Sequence, residues 1–233
     1  MAGHPDYDVT ATYDVTNKTE RLIVRQTQAA DSRTPIFDMP IELAFYGTGG
    51  EQKQVQVRDY LPTQEFDVPL GFQPKWIDFD PDDFIDKTLR FEQPEAALIA
   101  AAEQDRSMMS RLWAVQQLGK SSQLDEGQAV VALTRVLNQD TFYGVRAAAA
   151  KRLGSMASET AKSALLAALS QPDSRVRTAV VEALGHCSQD SAVYRALVHA
   201  LQQDNSYAVA GAAAEVLAGC GKTPLDAHFC PKG

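Results

Sequence analysis

The chain has 233 residues, 45% hydrophobic and 22% charged, the balance of a globular protein with room for one large or two modest cores. Its formal net charge is −8, unevenly spread, with 18 acidic against 9 basic residues over 1–95 and 12 against 13 over 96–233. Neither half has the basic surplus that binding a nucleic-acid backbone requires, and no segment approaches the ~18 uninterrupted apolar residues of a membrane span, so nucleic acid and a spanning helix are both excluded.

The opening stretch GHPDYDVTATYDV, residues 3–15, alternates apolar and polar side chains and puts Val9, Ala11 and Tyr13 on one face of a strand. TNKTE supplies a turn and RLIVRQTQ its hairpin partner, after which MPIELAFYG and QKQVQVRDY flank the glycine-rich connection GTGG. QEFDVPL, KWIDF and TLRFEQ add three shorter strands. Six or seven short strands without an intervening helix predict an all-β antiparallel sandwich over residues 1–92.

From Pro94 the period changes to that of a helix. In RVRTAVVEALG, Val176, Ala179, Val180, Ala183 and Leu184 form one buried stripe, and Gly185 stands where a helix-terminating glycine belongs. SRLWAVQQLG, VRAAAAKRLG and VRTAVVEALG align so that Arg111, Arg146 and Arg177 each fall eight residues before Gly119, Gly154 and Gly185, while Ala210 takes the arginine's place in a fourth copy. The intervals between copies are 35, 31 and 33 residues, a helical-repeat spacing. Second helices, GQAVVALTRVL, AKSALLAALS and AVYRALVHAL, lie between the copies and are each followed by an aspartate: Asp140, Asp173 and Asp204. The pattern predicts an all-α solenoid of about four helix pairs over residues 93–221, with a flexible tail at 222–233. An aspartate in each turn can accept the orphan N–H groups of the next helix, and Arg111, Arg146 and Arg177 are expected to tie their own or a neighbouring turn through Asp140 and Asp173. Arg175, Thr178 and Glu182 fall at exposed helix positions suited to a partner.

Candidate chemistry is sparse. His4, Asp6 and Asp8 offer donors but sit at the chain's beginning without a third partner, and are expected to be solvated. WIDFDPDDFID carries Asp78, Asp80, Asp82, Asp83 and Asp86, but lacks the glycine and terminal glutamate of a calcium loop and fits an Asp-Pro turn. GCGKT, residues 219–223, lacks the first glycine of a phosphate loop, Val216 standing there, and follows a helix where that loop needs a strand. Cys220, His228 and Cys230 do not complete a zinc set, and His186 with Cys187 ends a repeat helix. There is no HExxH and no GxSxG segment. Trp76, Trp113 and Phe142–Tyr143 are read as core or helix-start residues. The three cysteines, Cys187, Cys220 and Cys230, are an odd number in a chain that does not need staples and are expected to be reduced, as in the cytoplasm. AGHPDYD has neither the basic nor the apolar region of an export signal, and the compartment stays open.

The second half, through DTFYGVRAAAAKRLG and DSRVRTAVVEALG, resembles HEAT repeats, in particular the short HEAT-like units of the bilin-lyase type. The first half resembles the β-sandwich domain of zinc aminopeptidases typified by aminopeptidase N, through Gly3 and Pro5, Tyr13, Val24-Arg25-Gln26-Thr27-Gln28, Pro40-Ile41 and Asp80-Pro81. In that family the sandwich buttresses the catalytic domain and the helical domain curves over the active site. The family's HExxH zinc helix and GxMEN segment are missing from this sequence, so the resemblance implies a non-catalytic C-terminal region of such an enzyme. It implies no cofactor in this chain, zinc only in a separate catalytic domain, and as partner that domain in cis or another protein. A stand-alone HEAT-repeat scaffold binding a protein partner is the alternative, and a bilin lyase a third, which the preceding sandwich disfavours.

Overall fold

The computed structural model describes residues 3–29, 34–120, 126–156, 158–187 and 190–220. Two compact units divide the chain, Met1–Trp113 and Ala114–Gly233. The predicted tail lies outside the described residues, as do His228 and Cys230.

Unit one holds seven strands: β1 (Asp6–Asp14), β2 (Thr19–Gln26), β3 (Met39–Tyr46), β4 (Gln52–Asp59), β5 (Thr63–Pro69), β6 (Trp76–Phe79) and β7 (Thr88–Phe91). They form a four-stranded sheet in the order β5-β2-β1-β7 and a three-stranded sheet in the order β4-β3-β6. Alternation sets the register: Val9 faces Val24 and Ala11 faces Leu22 across the first hairpin, and Leu22 and Val24 are fully buried. Ile41, Leu43 and Phe45 project from the other sheet into the same core, which Tyr7, Phe79 and Phe91 complete.

One pairing departs from the antiparallel expectation. β7 runs parallel to β1, with Tyr7 opposite Leu89 and Val9 opposite Phe91. The connection from β6 carries the chain from one sheet to the other, so β7 arrives at the free edge of β1 from a distance in sequence that no hairpin pattern reveals. Asp80 organises that connection. Its backbone is left-handed, φ 57°, and its carboxylate accepts the N–H groups of Phe84 and Ile85 and, at 2.7 Å, the Lys87 ammonium.

Two helices follow the sandwich: α1 (Glu95–Gln104) and α2 (Met108–Gln117), the unit boundary falling within α2. α1 packs against β6, and the Trp113 ring meets Phe91 with centroids 6.4 Å apart. Unit two contains α3 (Glu126–Gln139), α4 (Tyr143–Gly154), α5 (Glu159–Ala167), α6 (Ser174–Leu184), α7 (Ser191–Gln203) and α8 (Tyr207–Cys220), with short 3-10 turns after α5 and α6. α3 packs on α4 and α7 on α8, while α4, α6 and α8 form a contiguous row. The core of that row is Val145, Leu153, Val176, Val180, Leu184, Val209 and Ala213, all fully buried.

The aligned glycines do different things. Gly119 adopts φ 70°, a left-handed conformation that terminates α2 at low cost only for glycine. Gly154 instead ends α4 against α6, where a Cβ would stand 2.7 Å from the Ala183 Cβ and 2.9 Å from its carbonyl oxygen. Gly185 is also right-handed, φ −55°, and a Cβ there would meet both methyls of Val216 at 3.3 Å. Its expected role as a left-handed terminator is therefore corrected: at Gly154 and Gly185 the missing side chain lets neighbouring helices close on each other.

Candidate interaction surface of the helical repeats

The turn preceding each even-numbered helix is built around an aspartate. Asp140 accepts the N–H of Phe142, Asp173 that of Arg175 and Asp204 that of Ser206, at 2.8, 2.9 and 2.8 Å. Each offsets one orphan donor and places negative charge at the positive end of a helix.

The arginines clasp these turns. Arg111, Arg146 and Arg177 each donate from Nη1 to the carbonyl six residues earlier, on Asp105, Asp140 and Gln171. Arg177 then reaches the next turn, where Nε and Nη2 bind both oxygens of Asp204 at 2.8 and 2.9 Å. Arg146 makes a looser version, its Nη2 4.0 Å from Asp173 Oδ2. The side chains of Arg177 and Asp204 are 15% and 12% exposed, so this pair is screened less by solvent than a surface bridge. Its two groups shift in the expected senses: the guanidinium holds Asp204 below the usual carboxylate range, and the carboxylate raises Arg177.

A further tie is absent from the arginine pattern. The Lys162 ammonium on α5 bonds Asp190, which caps α7 through the N–H groups of Ala192 and Val193, and also bonds Glu159. Asp190 precedes a helix in the same manner as Asp173, and this was the signal available for finding it.

Of the three positions suited to a partner, Arg175 binds Asp173 through Nε and Nη2 and lies over the Tyr143 ring at 3.4 Å, a cation–π contact. Thr178 donates its hydroxyl to the Ser174 carbonyl, and Glu182 lies 3.8 Å from the Lys151 ammonium. All three have contacts within the array. Open surface is found elsewhere. A cleft of about 360 Å³ opens between the turns before α6 and α8, with Pro172, Ala196 and Ala200 on its apolar walls and His199, Gln203 and Asn205 as polar groups. Tyr194 and Leu201 are exposed on α7, and Tyr207 at the start of α8 is 96% exposed.

Part of the acidic run of residues 76–86 is absorbed into structure, while Asp82 and Asp86 are exposed. Asp80 and Asp83 share Lys87, and Asp78 accepts the Ser110 hydroxyl of α2. Trp76 donates its indole N–H to Asp105 at 2.8 Å and stacks on Tyr46. His4 lies at the entry to β1, 3.1 Å from the Thr88 hydroxyl and 3.5 Å from Asp6. Among the described residues, no three His, Cys, Asp or Glu side chains converge in a way that could hold a metal ion, and no helix is long and apolar enough to cross a membrane. Gly219 and Cys220 of the GCGKT segment belong to α8, and the rest of it lies outside the described residues.

A two-sheet β unit followed by paired helices with capped, arginine-clasped turns defines the class: a β domain joined to HEAT-like repeats. A family model described as HEAT repeats matches residues 130–218. Among solved structures, Legionella pneumophila aminopeptidase A, in complex with aspartic acid, aligns over 93% of this chain at 12% identity with a TM-score of 0.60. The chain spans about a third of that aminopeptidase, the alignment covering 32% of it. Human deoxyhypusine hydroxylase aligns over 55% of this chain and 43% of its own length, at 25% identity and a TM-score of 0.44. No curated protein matches the sequence.

Proposed function

We propose that this chain is the non-catalytic C-terminal region of an aminopeptidase-N-like zinc peptidase, in which it supports the catalytic domain and narrows the approach of substrate. The observation that carries this reading is the alignment over 93% of the chain with a third of an aminopeptidase, in a sequence whose motifs separately resemble that family's sandwich. The chain has no HExxH segment, so in this reading the zinc and the reacting groups belong to a catalytic domain outside it, and neither cofactor nor catalytic residue is assigned here. The ties in the turns stiffen the repeats, as a support requires.

The test has two arms. Purified chain, assayed on aminoacyl substrates with metal analysis, should neither cleave nor carry stoichiometric zinc; hydrolysis with bound zinc would overturn the proposal. The coding sequence upstream should encode a zinc helix in the same frame, or a partner gene should supply one. A free-standing protein-binding scaffold is the second reading, favoured by the open cleft beside His199 and the exposed Tyr194, Leu201 and Tyr207. Cross-linking of the whole chain in its native extract, with capture of a partner that is not a peptidase, would favour it.

A further inference from the structure

One cluster of buried polar groups in unit one that the proposed function leaves unused lies where α1 and α2 rest on β6. Asp78 of β6 is 9% exposed and Asp105, in the turn between the two helices, is 4% exposed. The Ser110 hydroxyl donates to Asp78. Asp105 accepts the Trp76 indole N–H and the Ser107 N–H, each at 2.8 Å, and the Ser107 hydroxyl donates to the Pro81 carbonyl beside them. The charged groups facing Asp78 are Asp105 from the helical turn and Asp80 and Lys87 from the loop after β6. Tyr46 of β3 stands by both carboxylates, together with Arg106 and Asp82. Lys87 is the cation among those acting on Asp78, and it is already held by Asp80 at 2.7 Å and Asp83 at 2.8 Å. A second negative charge beside Asp105 therefore goes without a counter-ion of its own in a water-poor site, a costly arrangement.

We propose that the seat of α1 and α2 on β6 is a proton-linked latch: it is closed while Asp78 carries a proton and loosens the first turn of α2 when that proton is lost. The electrostatics run in the same sense. Burial pushes the Asp78 carboxyl up to about 7; the Ser110 hydrogen bond opposes the shift and the neighbouring Asp105 adds to it. A carboxyl raised in the closed state binds its proton more tightly there than in the open state. The latch is thus firm at acid pH and weakens as pH rises toward about 7, about tenfold in the opening equilibrium per pH unit. This inference does not depend on the proposed parent enzyme.

Amide hydrogen exchange of the whole chain between about pH 5 and pH 8, corrected for intrinsic exchange chemistry, tests it. Protection over residues 107–113 should fall by about tenfold per pH unit up to about pH 7 and level off above it, and Asp78→Asn should flatten most of that fall. An unchanged protection factor in the wild type, or the same fall in Asp78→Asn, would refute the latch. Should Asp78→Asn fail to fold, Ser110→Ala removes the donor that favours the ionised form and should move the midpoint to higher pH; an unmoved midpoint refutes the latch equally. Glu20→Gln, altering a buried carboxyl elsewhere in the sandwich, should leave the fall in place, and its disappearance would show global loosening and sink the proposal.

Discussion

Arg177 joins a carbonyl of its own turn to a carboxylate of the next, so its removal should be felt as lost cohesion between repeats. Arg177→Ala leaves Asp204 nearly buried without its cation and should cost about 2–3 kcal/mol, measured by urea unfolding of the whole chain. Asp204→Ala should cost less than the sum implies when combined with it, because the two act as one pair. Gly154→Ala should destabilise by about 1–3 kcal/mol, since its Cβ meets the Ala183 backbone and has nowhere to move. The sequence alignment placed Gly119, Gly154 and Gly185 in one column and could not separate them, because left-handed backbone and close helix approach both select the same residue. It likewise marked arginines and aspartates as ties, but a ladder 27 residues long in sequence, such as Arg177 to Asp204, has its partner fixed only by how the turns stack. Glu20 was silent in the sequence. It faces inward from β2, 2% exposed with Oε2 unpartnered, and burial pushes its carboxyl up to about 7. Its protonated form is the one the fold favours, so its contribution is lost as pH rises to about 7; Glu20→Gln should be the more stable protein at about pH 8, by thermal melting, and the difference should shrink toward pH 5.

The strands and helices themselves were legible because each has one apolar face with an uninterrupted period. β1 buries Tyr7 and Val9, β2 buries Leu22 and Val24, and α6 buries Val176, Val180 and Leu184, so period two and period 3.6 appear directly in the letters. What joins elements was less legible. The parallel meeting of β7 with β1 depends on the loop of residues 80–87, whose acidic composition suggested only a turn. Within it, Asp80 satisfies two backbone N–H groups and the buried Lys87, whose side chain is 6% exposed. Asp80→Ala leaves both donors unpaired and Lys87 with the more exposed Asp83 as its remaining carboxylate, and should cost about 2–4 kcal/mol in chemical unfolding. Loss of the β1–β7 pairing should accompany it, seen as faster amide exchange across residues 88–91. An ordinary surface turn would tolerate the same change at under about 1 kcal/mol.

The inward-facing carboxyls of unit one and the turn carboxylates of unit two are shifted in opposite senses, and this gives the whole molecule a testable pH behaviour. In unit one, burial raises Asp59, Asp78, Asp105 and Glu20, while the solvated Asp14, Asp38 and Asp67 are lowered by hydrogen bonds that contribute little at the surface, so its stability declines as pH climbs from the ordinary carboxylate range toward neutrality. In unit two the carboxylates of the turns are lowered instead: Asp173 to about 2, chiefly by Arg175, Asp190 by Lys162 and Asp204 by Arg177. Their contribution is present above the ordinary carboxylate value and disappears as acid protonates them. Both tryptophans of the chain, Trp76 and Trp113, lie in unit one, whereas six of the eight helices among the described residues lie wholly in unit two. Tryptophan emission therefore follows one unit and far-UV helical circular dichroism mainly the other. Raising pH from about 5 to 8 should lower the melting temperature seen by fluorescence while leaving the helical signal's transition nearly in place, and acidification to about pH 3 should lower the helical transition first. Coincident transitions that move together at every pH would show that the opposed carboxylates do not govern their own units.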